Sequence, residues 1–576
     1  MSMPTEPAAA FAVDALRAIA QRCGGDAARQ KRELLAQCAR AFEARRERPP
    51  DARTLVAYHD LLLFVIAYPD SAELALAAQR ELRRVASMAR RIAQHGSDRQ
   101  RERLAGSGTA WSTVTAAFSL SIAHWLVRRH PNCADVDSFG EGGTALADVL
   151  RLALPSIDHE ALDAATGDPM ALLEELAGAR SGGLLAWLTR AVDSIEADAD
   201  VRDHLFDSLR AYVRIEPQRT NLSRTFARGL PQATYLHSDA LQKSVGGLLR
   251  LIDVELPRER ILSPLEKTKL VDTARAVLAM LARETDPITW PSRNGVACFE
   301  LPHGASIALF AMDPERRFAL DTQTGYVLFK NRVPVGYGGG FPFLAVCKTG
   351  INVFAPFRGG ESALLFAHVL RVFRHRFGIK RFVIEPYQFG ARNREGLRSG
   401  AFWFYYRLGF RPVDAAAARL ARAEFARIEA RRGYRSPLAT MRALADGDLV
   451  LNVEPVVASE VTEPADVARA VSAWIAAEHC GDRRAACATA RRRVSEILPI
   501  ADIARWPRSE RAAFESLALP IALIPDIERW PEEDRFKLVA LMRAKGCDDD
   551  VGYFVQLNRH RRLREALAHI AQRRED

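Results

Sequence analysis

The sequence predicts an α+β chain of several domains, mostly helical, with a central mixed-sheet α/β domain. Three observations predict it. At 576 residues the chain exceeds the roughly 250–300 residues at which single cores stop growing. Long stretches on both sides of the middle are rich in Ala, Leu and Arg and read as consecutive helices. Only the stretch from Tyr326 to Pro412 alternates β-branched and aromatic runs with glycines, turns and amphipathic helical segments. The expected division is an all-helical region over residues 1–290, an α/β domain over 291–414 and a helical region over 415–576.

Composition sets the outer bounds. Apolar residues make up 48% of the chain, enough for large cores, and the formal charge of +10 permits an acidic partner without requiring one. The eight cysteines form no Cys-x-x-Cys pair, and His479-Cys480 with Cys487 is spaced too widely for the usual zinc site. The expectation is no metal and reduced thiols in a cytoplasmic protein. The first 23 residues lack a basic start followed by an apolar core, so no signal peptide is expected. Ala105–Val127 carries no charge, but its serines and threonines are too polar for hydrocarbon. A buried helix is expected there, and no membrane association.

In the first region, Leu61–Tyr68 is an apolar run stopped by Pro69. Ser263-Pro264-Leu265-Glu266 reads as a helix start, with Ser as N-cap, Pro in the first turn and Glu reaching back. No Walker loop, HExxH or GxSxG motif occurs, so the region reads as a scaffold, self-association or protein-partner domain.

Val296–Leu301 and Ala305–Met312 look like strands that could open the α/β domain near Arg293. Tyr326–Lys330 and Val333–Tyr337 flank Asn331-Arg332 as a hairpin, and Gly338-Gly339-Gly340 is expected to break the pattern. Ile351–Phe354 is a further strand. A helix with a broad apolar face follows from about Glu361 to Arg376, and Gly378 suits its end. Arg381–Glu385 is a short strand halted by Pro386, Ser399–Leu408 a second helix, and Phe410–Val413 the start of a last strand.

The strand–glycine–helix junction from Val353 and Phe354 through Arg358, Gly359, Gly360 and Ser362 to Ala363 is where an anion would bind. The first turn of a helix has unpartnered N–H groups, and glycines let a phosphate approach the main chain. With Val335-Gly336-Tyr337 in the central hairpin, Arg358 and Ala363 at the ends of the loop, and Tyr405 four residues before Gly409-Phe410, the stretch resembles the GNAT acyltransferase superfamily. The resemblance covers about 90 residues, a small domain's length. It implies an acetyl-CoA or other acyl-CoA donor, with pyrophosphate held by the loop amides. It also implies a mixed sheet and a Tyr405 hydroxyl that protonates the departing thiolate. The family's middle loop glycine falls here on Glu361, whose carboxylate suits a helix N-terminus and repels a pyrophosphate. Asn393 lies further from Tyr405 than the family's usual Asn.

Glu385, at the end of an apolar strand, is the general-base candidate; half-buried there, it would have a raised pKa. Tyr387, Gln388 and Asn393 could shape an acceptor pocket, Arg358 could bind phosphate or pair with Glu361, and His368 reads as packed or exposed within its helix. Tyr405 could equally be a core aromatic among Phe402, Trp403, Phe404 and Tyr406. Two function classes stay open: an acyltransferase acting on an unidentified amine acceptor, and a catalytically inactive module of the same descent that binds or scaffolds without CoA. An aminoacyl-tRNA donor is a third variant that only the basic charge permits.

After Val413, Ala415–Arg432 reads as a long helix stopped by Gly433, and residues 454–464 as a linker. Ile503-Ala-Arg-Trp-Pro507 recurs as Ile527-Glu-Arg-Trp-Pro531, which suggests two similar helical hairpins with the prolines as first helical residues. The arginines at 491–493 and 559–562 fit solvated helix faces, and no nucleic-acid-binding motif accompanies them.

Overall fold

The computed structural model describes residues 6–43, 51–164, 167–178, 182–216 and 222–572. They fall into two compact units. The first comprises residues 1–241, 268–289 and 329–335, and the second 242–267, 290–328 and 336–576. Of the 23-residue N-terminal segment read for a signal peptide, residues 1–5 lie outside the described residues.

The first unit is helix-rich but not all-helical. Its helices include Glu6–Ile19, Gly25–Glu43, Ala52–Ala67, Ala72–His95 and Asp98–Leu104. It also holds a three-stranded antiparallel sheet of β1 (Val114–Ala117), β2 (Ala134–Phe139) and β3 (Ala211–Ile215), in the order β1-β3-β2. The expected buried helix over Ala105–Val127 is therefore replaced. Gly106, Gly108 and Trp111, all with positive φ, turn the chain into β1, and Ser119 then caps a separate helix, Leu120–Arg129. The signal for β3 is its strict alternation: Ala211, Val213 and Ile215 are buried while Tyr212 and Arg214 are exposed. The buried face of this sheet packs on Trp125, Leu126, Leu185 and Leu188.

The second unit is built on an eight-stranded sheet. Its strands are β4 (Pro291–Leu301), β5 (Ala305–Met312), β6 (Thr324–Lys330), β7 (Val333–Phe343), β8 (Val346–Val353), β9 (Arg381–Ile384), β10 (Arg411–Pro412) and β11 (Leu449–Asn452). The order is β10-β11-β9-β8-β7-β6-β5-β4. The two early strands do belong to it, and the sheet starts at Pro291. The β6–β7 turn has the two positive φ values a tight hairpin needs, 45° at Asn331 and 69° at Arg332. Within the first unit, the Asn331 side chain donates to the carbonyls of Ala67 and Tyr235 and accepts from the Tyr235 amide.

Two expectations about this sheet change. The run Gly338-Gly339-Gly340 does not break the strand, since β7 continues through it to Phe343. A Cβ at Gly338 would stand 2.4 Å from Tyr326 Oη and 2.5 Å from the Gly350 carbonyl; one at Gly340 would stand 2.4 Å from Phe373. The glycines thus admit neighbours rather than end the strand. Nor does the domain end at 414, because β11 inserts between β10 and β9, antiparallel to both. A boundary there would cut the sheet, and β10 is not its last strand.

Helices Ser362–Phe377 and Ala401–Arg407 lie where expected, and Gly378 ends the first with φ 69°. The capping box at Ser263 is formed: Glu266 accepts from the Ser263 amide at 3.0 Å, and the Glu266 amide donates to Ser263 Oγ. After 452 the chain is helical, and each Ile-x-Arg-Trp-Pro copy is one 3-10 turn followed by a helix. Pro507 and Pro531 stand at the N-caps of those helices rather than at their first positions. Among the described residues no helix is long and apolar enough to cross a membrane.

Gly340→Ala is expected to lower the stability of the second unit by about 1–3 kcal/mol, the usual cost of overpacking, read as a shift in the urea midpoint. An unchanged midpoint would contradict the close approach of Phe373.

Candidate functional site

The site is defined by unequal pairing of β8. On one side β8 pairs antiparallel with β7 over its whole length, from Gly336↔Val353 to Phe343↔Val346. On the other side it runs parallel to β9 for only three residues, Val346↔Arg381 to Lys348↔Val383. Pro386 follows Glu385, so the chain leaves the ladder and turns into the 3-10 segment Pro386–Phe389. Residues 350–353 of β8 thus have no strand beyond them on that side among the described residues. The result is a notch in the sheet beside the first turn of the Ser362–Phe377 helix, which crosses from β8 to β9.

Side chains fill this notch. Ile351 N–H donates to Tyr405 Oη at 3.4 Å. Gln388 lies against Gly350, where a Cβ would stand 2.5 Å from its Cδ. On the opposite, β7 side of β8, the Tyr326 hydroxyl donates to the Gly350 carbonyl. Tyr405 is buried among Phe366, Phe389 and Phe410, with ring centroids 5.6, 6.4 and 5.9 Å away. Burial pushes its phenol pKa up, so the hydroxyl keeps its proton, and that proton has no acceptor among the described residues. Tyr405 is thus both a core aromatic and a polar group aimed into the notch.

The loop before the helix differs from an open glycine loop. Ala355–Phe357 is a 3-10 turn, and the amides of Phe357, Arg358 and Gly360 donate to the carbonyls of Phe354, Ala355 and Phe357. Those amides are therefore not free for an anion. Phe354 is buried and stacks on Tyr337 at 5.6 Å. Arg358 does not pair with Glu361; it reaches Glu395 at 2.6 Å and the Val353 carbonyl at 3.2 Å. Both members of the Arg358–Glu395 pair are half-exposed, so the pair is worth about 0–1 kcal/mol and opens easily. Glu361 is 2% exposed and occupies the N-cap position without capping its own helix. Its Oε1 accepts from the Gln242 amide at 3.0 Å. Ser362 Oγ is buried with no hydrogen-bond partner among the described residues, and Ala363 is buried. For a phosphate-bearing ligand, Ser362, the Arg358 guanidinium and the Tyr405 proton fit; the Glu361 carboxylate does not.

Glu385 lies elsewhere. Its side chain is 54% exposed, 3.7 Å from Lys348. It lines a cavity of about 330 Å³ with Phe318, Phe341, Phe343, Asp321 and Glu463. Burial works against the Lys348 charge, but Glu463 at 3.0 Å and Glu385 outweigh it and raise its pKa. Burial raises the pKa of Asp321. Tyr405 is not among the lining residues of this cavity. Its contact on β8, Ile351, is three residues from Lys348, about 10 Å along a strand. The two catalytic candidates are therefore not brought together.

Of the remaining candidates, Asn393 caps the Arg394–Ser399 helix by accepting from the Gly396 amide, and donates to the Tyr387 carbonyl. Tyr387 is exposed, and His368 is packed inside its helix. Lys348, Glu395 and Tyr326 were not singled out from the sequence, although the lone Gly350 inside β8 signals a close approach. Among the described residues no group of His, Cys, Asp or Glu side chains is placed to hold a metal ion. No protein-family model, characterised protein or solved structure matches the chain.

Tyr405→Phe is expected to cost about 1–2 kcal/mol, because it leaves the Ile351 amide without its partner. It should also speed exchange of that amide, measured by hydrogen–deuterium exchange. Unchanged exchange would show that the 3.4 Å contact protects nothing.

Proposed function

We propose that the notch between β8 and β9 is the acyl-CoA site of a GNAT-like N-acyltransferase. The observation that carries the reading is the Tyr405 hydroxyl, protonated and without an acceptor among the described residues, set against the unpaired edge of β8. There, an acyl thioester lying along β8 would meet a backbone N–H that polarises its carbonyl. A neutral amine attacks the carbonyl carbon, a C–N bond forms, the C–S bond breaks, and Tyr405 gives its proton to the thiolate. The proton lost by the amine goes to a base, for which Glu385 is the candidate through a relay across the cavity it lines. Arg358 exchanges its exposed partner Glu395 for phosphate, and Ser362 Oγ supplies a donor at the first helical turn.

A second reading rests on Glu361. Its buried carboxylate, held by the Gln242 amide, sets a negative charge beside the loop that would receive the pyrophosphate. That charge favours a module of the same descent that binds or scaffolds without CoA.

Calorimetric titration with CoA and acetyl-CoA separates the two. The acyltransferase reading expects micromolar binding to the wild type, weakened at least tenfold in Arg358→Glu by loss of a charge-assisted phosphate contact. Binding only in Glu361→Gly would overturn it in favour of the module.

A further inference from the structure

In the first unit, a cavity of about 840 Å³ opens between the polar face of β1 and β3 and the helices Ala72–His95 and Asp98–Leu104. We propose that it is a binding site for a nucleoside diphosphate, separate from the notch of the central sheet.

The argument starts at Trp111. Its φ of 70° is a left-handed conformation that a bulky residue adopts only when its surroundings impose it. The surroundings do so: the Ser112 amide and hydroxyl both donate to the Thr109 carbonyl, at 3.0 and 2.7 Å, and the Gly106 amide donates to Thr113. The strained turn presents the indole to the cavity, where the Arg90 guanidinium sits 5.0 Å over its ring. Arg90 has no carboxylate partner among the described residues. A stacked Arg–Trp pair with an unneutralised charge provides a surface on which a nucleobase stacks.

The rest of the lining matches the other two parts of such a ligand. Arg101 and Arg214 also line the cavity, paired at 2.6 Å with Asp98 and Glu216, all four at least 45% exposed. Exposed pairs of this kind are weak and exchange for a diphosphate, which offers more acceptors to each fork. Glu102 and Thr115, the latter directly across from Arg214 on β3, supply an acceptor and a hydroxyl for a sugar. The volume lies within the usual range for small-ligand sites, about 300–1,000 Å³.

The test is calorimetric titration of the full chain with ADP, adenosine and pyrophosphate, alongside thermal melting. ADP is expected to bind, and adenosine or pyrophosphate alone at least about tenfold more weakly, because each satisfies only half of the site. Trp111→Gly removes both the indole and the backbone strain. It should weaken ADP binding by about tenfold or more while the melting temperature stays level or rises. Arg90→Gln should weaken ADP similarly, and Arg358→Glu, in the other unit, should leave it unchanged. The proposal is overturned if ADP does not bind the wild type, if Trp111→Gly binds it undiminished, or if Arg358→Glu abolishes binding. It is also overturned if a single-stranded oligonucleotide binds where ADP does not.

Discussion

The second unit turns on one constraint: β8 carries a full-length partner on one side and a three-residue partner on the other. The cause is local. Pro386 lacks the N–H a continuing ladder needs, so β9 stops at Ile384 while β8 runs on to Val353. A buried strand edge must find partners for its polar groups. Here one comes from a side chain, the Tyr405 hydroxyl for the Ile351 amide. The glycines of β7 and β8 follow from the same crowding, since any Cβ at Gly338, Gly340 or Gly350 would collide with a neighbour.

Charges around the notch are arranged with similar economy. Arg358 and Glu395 form an exposed pair that costs little to open, whereas Glu361 is buried and tied to a backbone amide. The first arrangement suits a site that exchanges partners with a ligand. The second suits a fixed structural tie. A single loop therefore carries one feature that favours a phosphate guest and one that opposes it. Which of them dominates decides between the acyltransferase and the CoA-free module.

Much of the central sheet was legible in the sequence because its strands are dense in β-branched and aromatic residues and its helix carries a continuous apolar face. The Gly409-Phe410 pair and Tyr405 were legible for the same local reason. What escaped was non-local. Leu449–Asn452 is four residues long, and its ladder partners lie some 40 to 70 positions earlier. Arg358 pairs with a residue 37 positions away, and Glu361 with one 119 positions away. The sheet of the first unit escaped because three short strands are separated by helices, although the alternation in Ala211–Ile215 was there to read. The place of Glu385, exposed beside Lys348 rather than beside Tyr405, depends on packing that no spacing rule encodes.

The central claim is that the unpaired edge of β8 receives an acyl-CoA. Hydrogen–deuterium exchange of peptides spanning residues 346–365, with and without saturating acetyl-CoA, tests it most directly. The account predicts slower exchange for the amides of residues 350–353 and 362–363 on addition of the ligand, with the β4–β5 hairpin unchanged. Identical exchange in that segment at saturating acetyl-CoA would contradict it.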